Sequence, residues 1–443
     1  MKKLLTGLLG VLLLALGFYV VWLQFPKLNE PEMAESAYLA ADKRLDESLL
    51  GAGDPAKNGY LDPELLPYWG RHGIEFQEYS EAEGAVKGWS DYCSAYLGSS
   101  VDHEALQKTP EYQKALGEMS HLAPQVRHAS EKPLFIPPDA ALDFTSTTVN
   151  FISLRAIAHA LSGLAEARVQ QGQFEEAADD LLTVMTLGQR LEEHALLISV
   201  MIGITTQTIA LDTAIGTMDI NQTLPPQVWA KLAEGFIKRA PRKDLLKMTI
   251  EGEMTAAHNT MKLYNQGKWQ YPELERLRYF PGLISREERI YVNTMTGLLK
   301  QASDPNGGGR ISSFHQKPTA YDWLSGKAGI LSQSMTPNFQ RAGEQIRLHR
   351  NSALAAATAY GIAAYRAREG RLPSQLDEIR KTDIALTDDA EFLTLVQYEL
   401  SDQGATLKVR VSDHRTDLFI PSGQYWENPW FETDQEFVTY RFE

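Results

Sequence analysis

The stretch that decides the fold of most of the chain runs from Val149 to Leu181 and reads VNFISLRAIAHALSGLAEARVQQGQFEEAADDL. In its first half, apolar side chains recur at spacings of three, one, three, three and one residues. Such spacing places them on one stripe of an α-helix that packs against a neighbour on that side. The sequence therefore predicts a buried helix here. The members of the stripe are Leu154, Ile157, Ala158, Leu161, Leu164 and Ala165.

A second helix is predicted directly after the first, because Gly172 ends the first pattern and a new one begins at Gln173. The residues that mark the junction are Ala165, Gly172, Phe174, Ala177 and Leu181. This pattern resembles a tetratricopeptide unit, in which small residues let two antiparallel helices approach closely and a glycine makes the turn. Solenoids need about three copies of such a unit, and this chain has one. We therefore expect a single hairpin inside a larger helical domain.

Further helices are predicted on the C-terminal side of this hairpin. Ala195–Leu211 lacks charged residues but contains serine, threonine and glutamine, which favours a buried helix over a membrane span. Another helix begins after Leu224, where two prolines suit the first turn. Long helical patterns follow from Arg242 and from Ser285. Residues 148–302 are thus predicted to form a multi-helix domain.

Helical patterning stops after this domain. The glycine run and prolines that follow Asp304 predict a connection of low helical content over residues 303–340. A last helix is expected from Arg341, with Gly370 as its C-terminal stop.

Beyond that helix the apolar period changes to two, which is typical of strands with one buried face. Val396, Tyr398 and Leu400 alternate with polar residues, as do Leu407, Val409 and Val411, with a turn at 402–404 between them. A further strand is predicted at Phe437–Phe442.

The run AYGIAAYRAREGRLPSQLDEI, residues 359–379, leads from this helix toward the strands. It resembles the stalk-to-head junction of type II secretion pseudopilins, where a helix ends in a glycine, basic, apolar and proline turn before a small antiparallel sheet. The layout is also similar to families of uncharacterised bacterial envelope proteins with a membrane anchor and a large helical domain. The resemblance implies a small α+β head over residues 341–443. It brings no activity, because a pseudopilin carries this helix directly after its membrane segment and this chain does not.

At the other end, Leu4 to Phe25 is an almost unbroken apolar run that follows Lys2 and Lys3. At a rise of about 1.5 Å per residue, a helix of this length crosses a hydrocarbon core of roughly 30 Å. Lysines before the run hold that end in the cytoplasm. We expect residues 1–25 to anchor the chain in the bacterial inner membrane, with the bulk in the periplasm. A cleaved signal peptide is the alternative.

Residues 26–147 form the N-terminal periplasmic region of the expected fold. Glu32–Leu50 has helical composition, and loops are predicted at Gly51–Gly59 and Glu131–Asp139. The sequence between these loops is rich in aromatic residues, and we expect little helix there.

Composition narrows the function. The formal net charge of −14 disfavours nucleic acid as a partner, and the single cysteine allows no internal disulfide. The ten histidines offer no pair at a metal-binding spacing, and neither a phosphate-binding loop nor a Gly-x-Ser-x-Gly elbow is present, so no metal and no cofactor are expected.

The remaining enzyme hypothesis involves Glu251, Glu253 and His258. Glu251 and His258 are seven residues apart and share a helix face, so that an acid and a base would meet in a cleft. The alternative is a solvated charged face, with Gly252 allowing close helix packing.

Together these patterns predict a mainly α protein with an N-terminal transmembrane helix, a multi-helix domain containing a tetratricopeptide-like hairpin, and a small α+β head. The function that fits best is binding or scaffolding of an envelope protein in the periplasm. The alternative is an envelope hydrolase that uses the two glutamates and the histidine.

Overall fold

Helices dominate the structure, a computed structural model that describes residues 10–20, 27–65, 109–137, 140–144, 151–267, 282–304, 311, 338–411, 430–433 and 436–443. The described residues contain α1 (Gly10–Val20), α2 (Pro31–Leu49), α3 (Pro110–Glu131), α4 (Phe151–Gln170), α5 (Phe174–Glu192), α6 (Leu197–Thr217), α7 (Pro226–Arg239), α8 (Leu245–Asn265), α9 (Leu283–Ala302), α10 (Phe339–Glu369), α11 (Leu376–Arg380) and α12 (Ala390–Leu393). They also contain the strands β1 (Val396–Ser401), β2 (Gly404–Arg410), β3 (Phe431–Thr433) and β4 (Phe437–Phe442). The prediction of a mainly helical chain with a small C-terminal antiparallel sheet is confirmed.

The hairpin predicted from the opening stretch is present as α4 and α5, which pack against each other across a turn at Gly172. Gly172 has φ of 76°, a left-handed conformation that favours glycine. Ala165 and Ala177, one on each helix, are fully buried. The first charged side chains after the turn, Glu175 and Glu176, are exposed. Asp180 is buried and accepts a hydrogen bond from Arg168 at 2.6 Å.

The described residues form two main hydrophobic cores and a small third cluster of Ala41, Leu142, Leu196 and Ala256. The larger core joins α3, α4, α5, α7 and α10 to the sheet, and the smaller one joins α2, α8 and α9. Two helices belong to both. Val200 and Ile204 of α6 lie in the smaller core, whereas Leu211 and Ile215 lie in the larger one. Helix α10 likewise begins in the smaller core at Phe339 and continues into the larger one.

Helix α10 is the longest helix described, with 31 residues. The side chain of Asn338 caps its N-terminus by accepting from the Arg341 backbone, and Gly370 ends it with φ of 69°. Its second half is rich in alanine and buried on nearly all sides between α7 and the sheet. The predicted stop at Gly370 is confirmed.

The sheet has the order β1-β2-β4-β3 with antiparallel pairing throughout. Leu407, Val409 and Val411 point into the core as predicted. Leu400 lies opposite Ala405 on the same face but is 49% exposed, because it is near the end of the edge strand β1. Strand β3 follows a segment without an apolar period and was not anticipated by the sequence pattern.

The region between Gly59 and Glu131 was predicted to be poor in helix, and this prediction is wrong for its last part. Helix α3 occupies Pro110–Glu131 although Pro124 lies inside it. Its buried face consists mostly of small side chains, including Ala123 and Ala129, which give a weak periodic signal.

The apolar helices differ in burial. Leu197–Thr217 is the helix of the described chain that is long and apolar enough to cross a membrane, and 61% of its apolar window is buried against other helices. By contrast, the large apolar side chains of α1 are exposed: Val11, Leu12, Leu13, Leu14, Leu16, Phe18 and Val20. Residues 1–9 and 21–26 of the predicted anchor lie outside the described residues, as does nearly all of the predicted connection 303–340.

The domain boundaries stay predictions. The structure shows that the part after residue 340 shares a core with the helical part, because α10 packs along α7. Trp229 of α7 stacks on Tyr360 of α10, with ring centroids 5.5 Å apart and planes 12° apart. The ring of Phe236 meets the same tyrosine edge-on at 5.8 Å.

Candidate functional site

The two glutamates of the enzyme hypothesis lie on α8 and are buried rather than solvated. The exposed fractions of Glu251 and Glu253 are 5% and 6%. The alternative of a wet charged face is therefore wrong for these two residues. Buried carboxylates require partners, since an unpaired charge in a protein interior is costly. Each glutamate finds a different partner.

Glu251 is paired with Arg44 of α2. A guanidinium nitrogen of Arg44 donates to Oε2 of Glu251 at 2.7 Å. The ammonium of Lys247, one turn earlier on α8, lies 3.9 Å from the other carboxylate oxygen. The carboxylate is thus held between two cations, and its main effect is to fasten α2 to α8.

Glu253 caps another helix. Its Oε1 accepts a hydrogen bond of 2.7 Å from the backbone N–H of Leu197, the first residue of α6. The first N–H groups of a helix have no partner within it, so a carboxylate there satisfies one of them. Burial raises the pKa of Glu253 from its ordinary value of 4.5 to about 7, although the Leu197 hydrogen bond acts in the opposite direction.

The close contact that permits this cap depends on Gly252. A Cβ at this position would lie 2.3 Å from the carbonyl oxygen of Ala195, so only glycine fits. The role in close packing that the sequence suggested for Gly252 is confirmed. Ala195 itself has φ of 55°, a left-handed conformation that costs a non-glycine residue energy. The turn between α5 and α6 is therefore strained and pressed against α8.

His258 lies two turns further along α8 and faces α2 and α9. Its Nδ1 is 2.5 Å from Oε1 of Glu288, and its ring stacks on Tyr38 with centroids 4.5 Å apart. Both groups of the His258–Glu288 pair are partly exposed, with fractions of 32% and 22%. This pair is the part of the predicted site with access to solvent.

The structure does not bring the three predicted residues together. Within the described residues, no hydrogen bond or ion pair joins Glu251, Glu253 or His258 to another of the three. The described part of the chain also holds no cluster of three metal-ligating side chains. Glu251 and His258 do lie on the same face of α8, as predicted, and α2 covers this face.

A cleft lies next to these residues. It is a shallow cleft with a volume of about 40 Å³, partly open to solvent, where α2 meets the turn between α5 and α6 and the segment containing Ile136 and Leu142. Ala195 and Leu196 of the strained turn form one wall, and Arg44 reaches from another wall to Glu251 behind it. The cleft thus has apolar walls and one cation, Arg44, whose charge is balanced by the buried Glu251.

His194 adds a polar group to the cleft. Its Nε2 lies 3.0 Å from the backbone carbonyl oxygen of Phe135. Since a carbonyl only accepts, Nε2 carries the proton and Nδ1 is the acceptor nitrogen of the neutral ring. Sequence reasoning missed this cleft because its walls come from three distant segments. The only local signal was the polar run Glu192–His194 between two apolar helices.

No protein-family model, curated protein or solved structure matches the chain. The resemblance to pseudopilin heads and to envelope protein families thus rests on the sequence pattern alone.

Proposed function

We propose that the chain is a single-pass membrane protein of the bacterial envelope whose periplasmic helical part binds or scaffolds another protein. The observation that carries the membrane part is the exposure of α1. A run of exposed large apolar side chains is unfavourable in water and is matched by lipid. The contrast with α6, which is also apolar but mostly buried, supports α1 as the anchor.

The binding role is supported by the surface cleft and by the structural use of the acidic residues. The predicted catalytic groups each hold two elements together, whereas the cleft beside them presents apolar walls with a few polar groups. Such a combination suits recognition of a protein segment. The tetratricopeptide-like hairpin α4–α5 and the pseudopilin-like unit of α10 and the sheet then serve as the frame around this surface.

The topology is tested with a reporter that is active only outside the cytoplasm, fused at the C-terminus. We expect activity, and we expect the full-length chain to stay in the membrane pellet after an alkaline wash. Release of a shortened chain that begins near residue 18 would instead favour the cleaved signal peptide.

The binding role is tested by a photo-crosslinking residue placed at Ser48, which lines the cleft, in living cells. The matched control carries the same residue at Asp402 in the β1–β2 turn, which is also exposed. A defined adduct with an envelope protein from position 48 alone is expected. Equal labelling from both positions, or none from position 48, would contradict a binding role for the cleft.

The alternative of an envelope hydrolase is favoured by one observation, the pKa of about 7 for Glu253, since a general acid or base works best near the ambient pH. Glu253→Gln keeps the acceptor oxygen for Leu197 but removes proton exchange. A normal melting curve combined with loss of the cellular phenotype would favour the hydrolase. Retention of the phenotype is expected if Glu253 is only a cap.

A further inference from the structure

The segment Lys27–Asn29, just after the predicted anchor, is fastened to α9 by one side chain. Oδ1 of Asn293 accepts from the backbone N–H of Asn29 at 2.9 Å, and its Nδ2 donates to the carbonyl oxygen of Lys27 at 2.8 Å. Between these two bonds, Leu28 packs against the smaller hydrophobic core. An asparagine that satisfies both an N–H and a carbonyl two residues apart fixes the path of the backbone.

The contacts continue into α2. Glu30 forms an ion pair of 3.0 Å with Lys300 near the end of α9, and Ala34 and Ala37 are buried in the smaller core. A flexible linker has an end-to-end distance that grows by about 5–6 Å times the square root of its length and samples many directions. The segment Lys27–Glu30 is instead part of the folded domain.

The distance from the membrane to α9 is therefore short. Phe25 is the last residue of the apolar run, and Lys27 follows two residues later, which spans at most about 7 Å even when extended. The head-group layer adds roughly 5–8 Å to each side of the hydrocarbon core. Asn293 contacts Lys27 directly, so it lies at the height of the head groups.

We propose that α9, around Asn293 and Lys300, lies against the periplasmic head-group layer of the membrane and holds the domain in one orientation. This inference rests on the proposed anchoring and deepens it, because an anchor alone would leave the domain free to swivel. The surface that meets the lipid is the exposed side of α9. On this side, a Cβ built on Gly297 would have no neighbour within 4 Å, and the Lys300 side chain is 66% exposed.

Energy transfer to lipids carrying a head-group acceptor dye tests this orientation. The full-length chain, with Cys93→Ser as background, is reconstituted in vesicles of phosphatidylethanolamine and phosphatidylglycerol. A donor dye is attached at Gly297→Cys or, as the control, at Asp402→Cys in the sheet, which belongs to the larger core. We expect roughly twofold or greater transfer at position 297 relative to position 402, because transfer falls steeply over the thickness of a domain of this size.

A second variant separates the clamp from the anchor. Asn293→Ala removes both hydrogen bonds to the linker, and we expect transfer at position 297 to fall toward the value at position 402 while the chain stays in the alkaline-washed pellet. If transfer were equal at positions 297 and 402 in the chain that keeps Asn293, and this chain stayed in the pellet, the fixed orientation would be overturned but the anchoring would not. Loss of the chain from the pellet would overturn the anchoring as well.

Discussion

Glu253 shows how one buried carboxylate ties two helices together. It belongs to α8 but completes the N-terminus of α6, and the glycine before it creates the space for this contact. The same burial makes the group sensitive to pH, because the interior disfavours its charged form.

The first prediction concerns this pH dependence. The pKa of Glu253 is about 7 in the folded chain and 4.5 ordinarily, so the folded state binds the proton more tightly. Its contribution to stability is then complete below pH 4.5 and is lost as the pH rises through 7. The parent chain should lose at most about 3 kcal/mol of unfolding free energy through Glu253 over this pH range. The Glu253→Gln variant should not show this loss.

The measurement is urea unfolding of the detergent-solubilised chain at pH 5 and pH 8. Glu35→Gln, at an exposed position on α2, is the matched control and should leave the pH dependence unchanged. A Glu253→Gln variant with the full pH dependence of the parent would show that other groups cause it.

The second prediction compares two glycines in helices. Gly252→Ala places a methyl group 2.3 Å from the Ala195 carbonyl oxygen, so we expect a loss of about 1–3 kcal/mol in unfolding free energy. Gly297→Ala meets open space and should gain about 0.5–1 kcal/mol from helix propensity. Chemical denaturation of both variants gives the sign. A neutral Gly252→Ala would mean that α6 and α8 separate without cost.

At the scale of elements, the Arg44–Glu251 ion pair fastens α2 to α8 beside the apolar contacts of Ala34 and Ala37 in the smaller core. Arg44→Ala leaves the buried Glu251 carboxylate with Lys247 alone, so we expect a loss of about 1–3 kcal/mol and faster amide exchange in α2. The neighbouring exposed Lys43→Ala is the control and should stay within about 0.5 kcal/mol of the parent. Exchange in α2 that is equally fast in both variants would contradict this role of Arg44.

The elements that the sequence predicted best are those with a strong period and a clear stop. Helix α10 ends at Gly370 and β2 buries every second side chain, as both patterns require. Helix α3 was missed because alanines replace large apolar residues on its buried face and Pro124 argues against a helix. Leu400 lies on the predicted face, opposite Ala405, but is exposed, because periodicity does not reveal which strand lies at a sheet edge.

The candidate site was harder to predict than the elements. The sequence identified Glu251, Glu253 and His258 as a group from their spacing, but their partners lie on α2, α6 and α9. Spacing along one helix gives the direction of a side chain and not the element that covers it. The residues of the cleft, such as Arg44 and His194, come together only through the tertiary fold.

At the scale of the whole molecule, the shared core predicts that the sheet and the helices unfold together. Trp229 is fully buried against Tyr360, so Trp229→Ala should cost about 3–5 kcal/mol. We expect this loss to speed amide exchange in α5 and in β2 alike, as measured by hydrogen exchange with mass spectrometry.

Leu400→Ala, at an exposed position of the sheet, is the control and should change neither region. If β2 kept its protection while α5 lost its own in the Trp229→Ala variant, residues 341–443 would form a separable unit.

Helix α10 also has a mechanical consequence. At about 1.5 Å per residue, its 31 residues form an unbroken rod of about 46 Å that begins in the core shared with α8 and α9 and ends beside the sheet. Because α10 has no hinge along its length, a force applied to the sheet is transmitted along the whole helix. Tension on the sheet is therefore delivered to the core that α10 shares with α8 and α9, which under the proposed anchoring lies beside the membrane, instead of being absorbed between two loosely joined bodies.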